Sequence, residues 1–208
     1  GTGLVTLRGG NENDTISAST AAKLRAGSVI DGGAGYDRLS LFYDSTQTYP
    51  SSSYVDPVTG LTYPLPVLPR DTVYDLTSIS LSHVETLDLN GSYGGYGNAT
   101  TIVKVDTASL ADITSINSYS GARLVTASAS LDLSGKSISG VLVESTNATG
   151  TIFTVNSVAT ALQVQGGTGS DTLVLKGLSL TSAQRDQVFT NSIETITDAA
   201  GTFTKAGP

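Results

Sequence analysis

Apolar and polar positions alternate over much of the chain, and between residues 84 and 176 the pattern repeats. One series of apolar residues, each 21 positions after the last, is Leu89, Leu110, Leu131, Ile152 and Leu173. Short alternating segments such as Leu131-Asp132-Leu133 and Leu162-Gln163-Val164 lie within it. Alternation is typical of strands with one buried face, and a repeat of this length is typical of stacked coils. The pattern predicts an all-β fold, a right-handed parallel β-solenoid in which each coil buries its apolar row on the next.

Shorter apolar segments predict further strands near the N-terminus, at residues 4–7, 15–17, 29–30 and 39–41. Residues 21–25 predict a short helical or irregular connection. Near the other end, Thr181 and Gln184 have the spacing of a helix capping box. A short helix over residues 183–189 is therefore predicted beside the stack of strands.

The segment from residue 44 to 70 differs from the rest because it is rich in proline and tyrosine. Proline cannot donate a hydrogen bond inside a sheet, so this segment is predicted to be an insertion. Its turn sequence, residues 56–60, predicts a hairpin that joins residues 54–55 to 61–63. An internal comparison supports the insertion: Gly32 and Glu85 are 53 residues apart, Gly166 and Glu194 are 28 apart, and the surplus of 25 matches the segment. We therefore predict one domain over residues 1–208, in which a single unit is used twice.

Glycine-rich motifs provide the strongest chemical signal. Residues 32–39 and 166–173 both match the nonapeptide pattern G-G-x-G-x-D-x-U-x of calcium-binding β-rolls, and residues 9–16 depart from it only at Glu12. A fourth copy at residues 94–100 has Ala99 in place of the aspartate, so we expect a turn without metal. Glycine allows positive φ, which lets successive carbonyls converge, and carbonyl and carboxylate oxygens suit Ca²⁺.

The candidate calcium ligands are therefore alternate residues of the three acidic motifs, together with the aspartate of each motif. They are Gly9, Asn11, Asn13, Asp14, Gly32, Ala34, Tyr36, Asp37, Gly166, Thr168, Ser170 and Asp171. The first two glycine pairs begin 23 residues apart, about one coil, so we expect Asp14 and Asp37 to face one shared ion. One period before Asp171 the chain has no carboxylate, so that site should bind more weakly unless Asp186 or Asp198 completes it.

These motifs resemble the repeats-in-toxin (RTX) family of secreted bacterial proteins, although the close resemblance covers only about a quarter of the chain. The resemblance implies export by type I secretion, folding outside the cell where calcium is abundant, and a place in the extracellular space or on the bacterial cell surface.

Composition narrows the function further. The 208 residues carry a net charge of −7, which argues against a nucleic-acid partner. Without cysteine, neither a disulfide framework nor a thiolate metal site can form. No apolar run is long enough for a transmembrane helix. The sequence begins at Gly1 rather than Met and shows no signal peptide, so we expect a fragment or processed product of a longer protein.

Enzyme chemistry has little support in the sequence. His83 is the only histidine, no G-x-S-x-G elbow exists, and the eleven lysines and arginines form no catalytic cluster with acids. We therefore expect no enzymatic activity, and a structural role for His83. The favoured function is a calcium-stabilised structural module of a surface-layer or adhesin-type protein. The alternative is a carbohydrate-binding module of a secreted polysaccharide-active enzyme, which would use Tyr49, Tyr54 and Tyr63 of the insertion. The expected partners are calcium and either further copies of the chain or a cell-surface glycan.

Overall fold

The computed structural model describes residues 4–44, 53–64, 71–90 and 100–206. The chain is mostly β, with parallel strands arranged in curled sheets. The strands in chain order are β1 (Thr6–Arg8), β2 (Thr15–Ala18), β3 (Val29–Asp31), β4 (Arg38–Phe42), β5 (Ser53–Val55), β6 (Thr62–Pro64), β7 (Thr72–Asp75), β8 (Ser80–Ser82), β9 (Thr86–Asn90), β10 (Thr101–Lys104), β11 (Ser115–Thr126), β12 (Ser130–Asp132), β13 (Ser137–Ser145), β14 (Ile152–Val155), β15 (Val164–Gln165), β16 (Thr172–Leu175), β17 (Thr195–Asp198) and β18 (Gly201–Thr204). Two α-helices, α1 (Val158–Ala161) and α2 (Ser182–Thr190), and two short 3-10 helices, at Ala21–Lys23 and Leu76–Ser78, complete the described elements.

The largest sheet has eight strands, with β15, β13, β11, β9, β4 and β2 side by side, β10 also beside β11, and β7 beside β10. Its described strand pairs are all parallel. Two smaller sheets have the orders β1-β3-β8 and β12-β14-β16-β17-β18, and only the last pair, β17 with β18, is antiparallel. Parallel strands need long connections, which explains why neighbours are separated by about one repeat of sequence.

Side chains that alternate along the strands build one continuous hydrophobic core, which extends from Ala18 to Ile196. In the large sheet, register places Leu39 beside Leu87 and Leu87 beside Ile116, all fully buried. In the five-stranded sheet, Phe153 of β14 lies between Leu131 of β12 and Leu173 of β16. Burying side chains of this size contributes roughly 1.5–3 kcal/mol each, which makes these rows the main source of stability.

The prediction that buried apolar residues recur every 21 positions is wrong in detail. Ile152 lies beside Ser130 and Thr172, outside the row, and half of its side chain is exposed, because Phe153 takes the buried place beside Leu131. Successive strands are offset by 22 residues from β12 to β14 and by 20 from β14 to β16. The turns between strands therefore differ in length by one or two residues, and a strict period cannot follow the core.

Local predictions for the helix and the hairpin are confirmed. Helix α2 begins at a full capping box, in which Thr181 and Gln184 bond each other's backbone. Strands β5 and β6 form an antiparallel hairpin that pairs Tyr54 with Tyr63. Tyr49 lies outside the described residues, as does the predicted metal-free turn at residues 94–99. Neither described α-helix has the length or the apolar character to cross a membrane.

Candidate metal centre

The structure brings the first two glycine-rich turns together in the predicted register. The backbone N–H of Ala34 donates to the carbonyl of Gly10 at 2.9 Å, and that of Arg38 donates to the carbonyl of Asp14 at 2.9 Å. The Tyr36 N–H donates to the side-chain oxygen of Asn13 at 2.9 Å. The two backbone bonds use the carbonyls of Gly10 and Asp14. Among the described residues, the carbonyls of the other candidate ligands in the first turn, Gly9, Asn11 and Asn13, accept no hydrogen bond from the second turn.

Glycine is required here because the turns approach closely. A Cβ on Gly9 would overlap the carbonyl oxygen of Gly32, and a Cβ on Gly32 would overlap the carbonyl oxygen of His83. Gly33 and Gly35 have φ values of +99° and +139°, which side chains rarely adopt. The glycine positions of the motif thus serve close packing of successive turns as well as turn geometry.

The two predicted carboxylates lie in a ladder of hydrogen bonds. Asp37 accepts from the backbone N–H of Asp14 at 2.7 Å, and Asp14 accepts from the N–H of Gly10 at 2.7 Å. Glu85 extends the ladder because its carboxylate accepts from the N–H of Asp37 at 2.6 Å. Sequence reasoning did not assign Glu85 to the site. Hydrogen bonds of this kind, between a carboxylate and a backbone N–H, are charge-assisted and strong.

Asp37 differs from the other carboxylates because one of its oxygens has no partner. Asp37 is 1% exposed, and its Oδ2 is buried without a hydrogen bond. In the first turn the corresponding oxygen accepts from the N–H of Gly10, whereas no N–H of the second turn bonds Oδ2 of Asp37. A buried carboxylate oxygen without a donor or cation is unfavourable, so this atom marks the place where a cation would contribute most.

The third motif is satisfied within the chain. Asp171 is fully buried, and its two oxygens accept from the N–H groups of Thr151 and Gly167, both at 2.7 Å. Its own N–H donates to Glu194 at 2.8 Å. Asp198 does not complete this site, since its carboxylate binds the Arg185 guanidinium at 2.9 Å. Thr168 and Ser170 lie in this turn, as predicted, but Asp171 has no unpaired oxygen to offer.

The two full motifs are copies of one local structure. Glu85 and Glu194 occupy matching places, each bonding the N–H of the motif's aspartate. Two residues before each glutamate, His83 and Ser192 have φ values of 51° and 59°, which are unusual for residues other than glycine. The sequence signal for this duplication was the repeat of Glu-Thr after an apolar residue, Val84 or Ile193.

His83 lies at the edge of the second turn, where it bonds two acidic residues. The ring Nδ1 of His83 is 2.8 Å from an oxygen of Asp31. The backbone N–H of His83 donates to the carboxylate of Asp112 at 2.8 Å. The hydrogen bond to Asp31 raises the pKa of His83, and the same bond lowers the pKa of Asp31. This pair joins His83 to Asp31, the residue that ends β3 and directly precedes the second turn.

The donors at the first two turns fit calcium in kind. They are backbone carbonyls, carboxylates and an amide oxygen, the hard ligands that Ca²⁺ takes in sets of 6–8. Among the described residues, no three His, Cys, Asp or Glu side chains gather closely enough to hold a metal ion by themselves. An ion beside Asp37 would therefore need backbone carbonyls as well. Comparisons with protein-family models, with curated proteins and with solved structures give no significant match to this chain.

Proposed function

We propose that the chain is a calcium-stabilised β-solenoid of RTX type, serving as a structural module of a secreted bacterial surface protein of the surface-layer or adhesin kind. The observation that carries the proposal is the buried, unpartnered Oδ2 of Asp37 inside a turn that only glycine can form. The parallel strands, the registers of about one repeat and the duplicated turn are consistent with successive coils of a solenoid.

Asp14, Asp37 and the carbonyls of Gly9, Asn11, Asn13, Gly32, Ala34 and Tyr36 would hold the ion. When bound, calcium would supply positive charge beside the carboxylates of Asp14 and Asp37, which belong to successive turns. The carboxylates and the turn then form one rigid corner. Sites in extracellular calcium modules bind at about 10⁻⁴–10⁻³ M, so folding would be favoured outside the cell, where calcium is abundant, and coupled to export.

Hydrogen exchange with calcium and with a chelator tests this proposal. Amides of residues 10–14 and 33–37 should lose protection on chelation, because the ion and the ladder stabilise them together. Amides of β13, β14 and β16 should keep their protection, because Phe153 and its neighbours pack without metal. Equal protection in both conditions along the whole chain would contradict the proposal.

A carbohydrate-binding module remains the second candidate, because the β5–β6 hairpin exposes apolar groups. Val58 is 90% exposed and Tyr63 is 48% exposed. Leu61, 58% exposed, and Val55, 55% exposed, lie on the same hairpin, so the exposed apolar groups are concentrated there. Deletion of residues 48–66 separates the candidates. If glycan binding disappears while the fold survives, the hairpin is a recognition element; if only self-assembly changes, the structural module is supported.

A further inference from the structure

A second surface of the chain, distinct from the hairpin and bordering the second glycine-rich turn at Tyr36, combines exposed aromatic rings with a fixed polar centre. It lies on the outer side of β4, β9 and β11, where residues alternate with the buried leucines of the core. We call it the outer sheet face; its residues are Tyr36, Arg38, Phe42, Asp88, Asn117 and Tyr119.

Asp88 holds the centre of the outer sheet face. Its Oδ2 is 3.2 Å from Nε of Arg38, and its Oδ1 accepts from the Asn117 side-chain amide at 3.3 Å. Each of these residues comes from a different neighbouring strand. The ion pair leaves the centre close to neutral, while the guanidinium remains half exposed and able to donate.

Three aromatic rings surround this centre. Tyr36 is 50% exposed, Phe42 is 40% exposed and Tyr119 is 82% exposed. Hydrogen bonding from the hydroxyl of Thr86, and then from that of Thr114, lowers the pKa of the Tyr36 phenol, which ties this half-exposed ring to β9 and to the residue before β11. Strands lie about 4.8 Å apart and rise about 3.3 Å per residue, so Phe42 is about 10 Å from β11 and about 13 Å from Arg38.

We propose that the outer sheet face binds a neutral oligosaccharide. Sugar rings present C–H faces to aromatic rings and hydroxyls to polar groups, and this face offers both, at spacings that suit several consecutive sugars. An acidic glycan is disfavoured, because the only cation of the face is already paired and the chain carries a net charge of −7. The proposal depends neither on calcium nor on the hairpin.

Affinity electrophoresis in gels that contain a neutral polysaccharide tests the proposal, with mannan, xyloglucan and dextran as probes and alginate as the acidic comparison. The full chain, saturated with calcium, should be retarded by at least one neutral polymer and not by alginate. Tyr119→Ala and Phe42→Ala should each weaken retardation about tenfold, the effect of losing one aromatic contact. Leu178→Ala is the matched control because it removes a large apolar side chain, 44% exposed, from outside the outer sheet face, and its retardation should be unchanged. Tyr63→Ala tests the hairpin separately.

Tyr36→Phe gives a separate check, because it keeps the ring and removes the hydroxyl that fixes it. Binding should weaken less than with Tyr119→Ala, since only the preorganisation is lost. The proposal is overturned if none of the neutral polymers retards the chain, if alginate alone does so, or if only Tyr63→Ala abolishes retardation. It is also overturned if sedimentation shows a dimer that Tyr119→Ala dissociates, because the face would then be a self-association surface.

Discussion

Replacing Asp37 by asparagine tests the calcium site most sharply, because the change keeps the size of the side chain and removes its charge. The Asp37 oxygen that accepts from the Asp14 N–H has an equivalent in asparagine. The other oxygen, Oδ2, is buried and unpartnered. Without calcium, an unsatisfied buried polar atom costs about 1–3 kcal/mol. Asp37→Asn in chelator should therefore be close to wild type in stability, or above it.

With calcium the sign should reverse. If the site binds at about 10⁻⁴ M, 10 mM calcium stabilises the wild-type chain by about 2.7 kcal/mol. In a domain of this size, about 1 kcal/mol shifts the melting temperature by 2–4 °C, so the wild-type melting temperature should rise by roughly 5–10 °C. Asp37→Asn should lose most of that rise, because the charge that attracts the ion is gone.

Asp171→Asn is the matched control, and thermal unfolding followed by circular dichroism is the assay. Both oxygens of Asp171 accept backbone hydrogen bonds, so its replacement should cost about 1.5–3 kcal/mol with or without calcium. It should nevertheless keep most of the calcium-induced rise. The reasoning would be refuted if calcium did not change the melting temperature of the wild-type chain. It would also be refuted if calcium raised the melting temperature of Asp37→Asn as much as that of the wild type.

Three further predictions follow from packing and charge. Phe153→Ala should lower the free energy of unfolding by about 3–5 kcal/mol, whereas Ile152→Ala, at a half-exposed position, should change it by less than about 1 kcal/mol in urea unfolding. Gly9→Ala should destabilise the first turn because its Cβ would overlap a carbonyl oxygen, while Gly10→Ala meets only an ordinary contact at 3.9 Å and should be neutral or stabilising by about 0.4–1 kcal/mol. The pKa of His83 should lie above the ordinary histidine value of about 6.5 in an NMR pH series, because its aspartate partner favours the charged ring. Its contribution to stability is therefore full below pH 6.5 and disappears as pH rises through the raised pKa.

Each of these expectations has a contrary result. Equal losses of unfolding free energy in Phe153→Ala and Ile152→Ala would show that the register of β14 is wrong. Equal effects of the two alanine substitutions in the glycine pair would show that close approach between the turns does not limit that position. A histidine that titrates at or below its ordinary pKa would show that the pair with Asp31 does not form in solution.

Much of the fold follows from short-range patterns in the sequence. The spacing of Gly9 and Gly32 predicts the 23-residue offset that places Thr15 beside Arg38. The turn at residues 56–60 predicts the β5–β6 hairpin, and the spacing of Thr181 and Gln184 predicts the start of α2. These signals succeed because backbone geometry within a few residues determines them.

Contacts that depend on side-chain reach across the fold could not be predicted. Glu85 and Glu194 are conspicuous only as a repeated Glu-Thr pair, and nothing local shows that their carboxylates bind the N–H of an aspartate 48 or 23 residues earlier. The unpartnered oxygen of Asp37 is equally hidden, because the corresponding oxygen accepts from a glycine N–H in both the first and the third motif. Ile152 misled the 21-residue prediction, since one residue of slip in a strand exchanges the buried and exposed faces.

Anomalous diffraction from crystals grown with calcium tests the central claim most directly, because it locates ions without reference to stability. The account expects a peak at a calcium–oxygen distance of about 2.3–2.6 Å from Oδ2 of Asp37, and a weaker peak or none at Asp171. If crystals grown at saturating calcium show no peak beside the turns of Asp14 and Asp37, the claim of a calcium site there is contradicted.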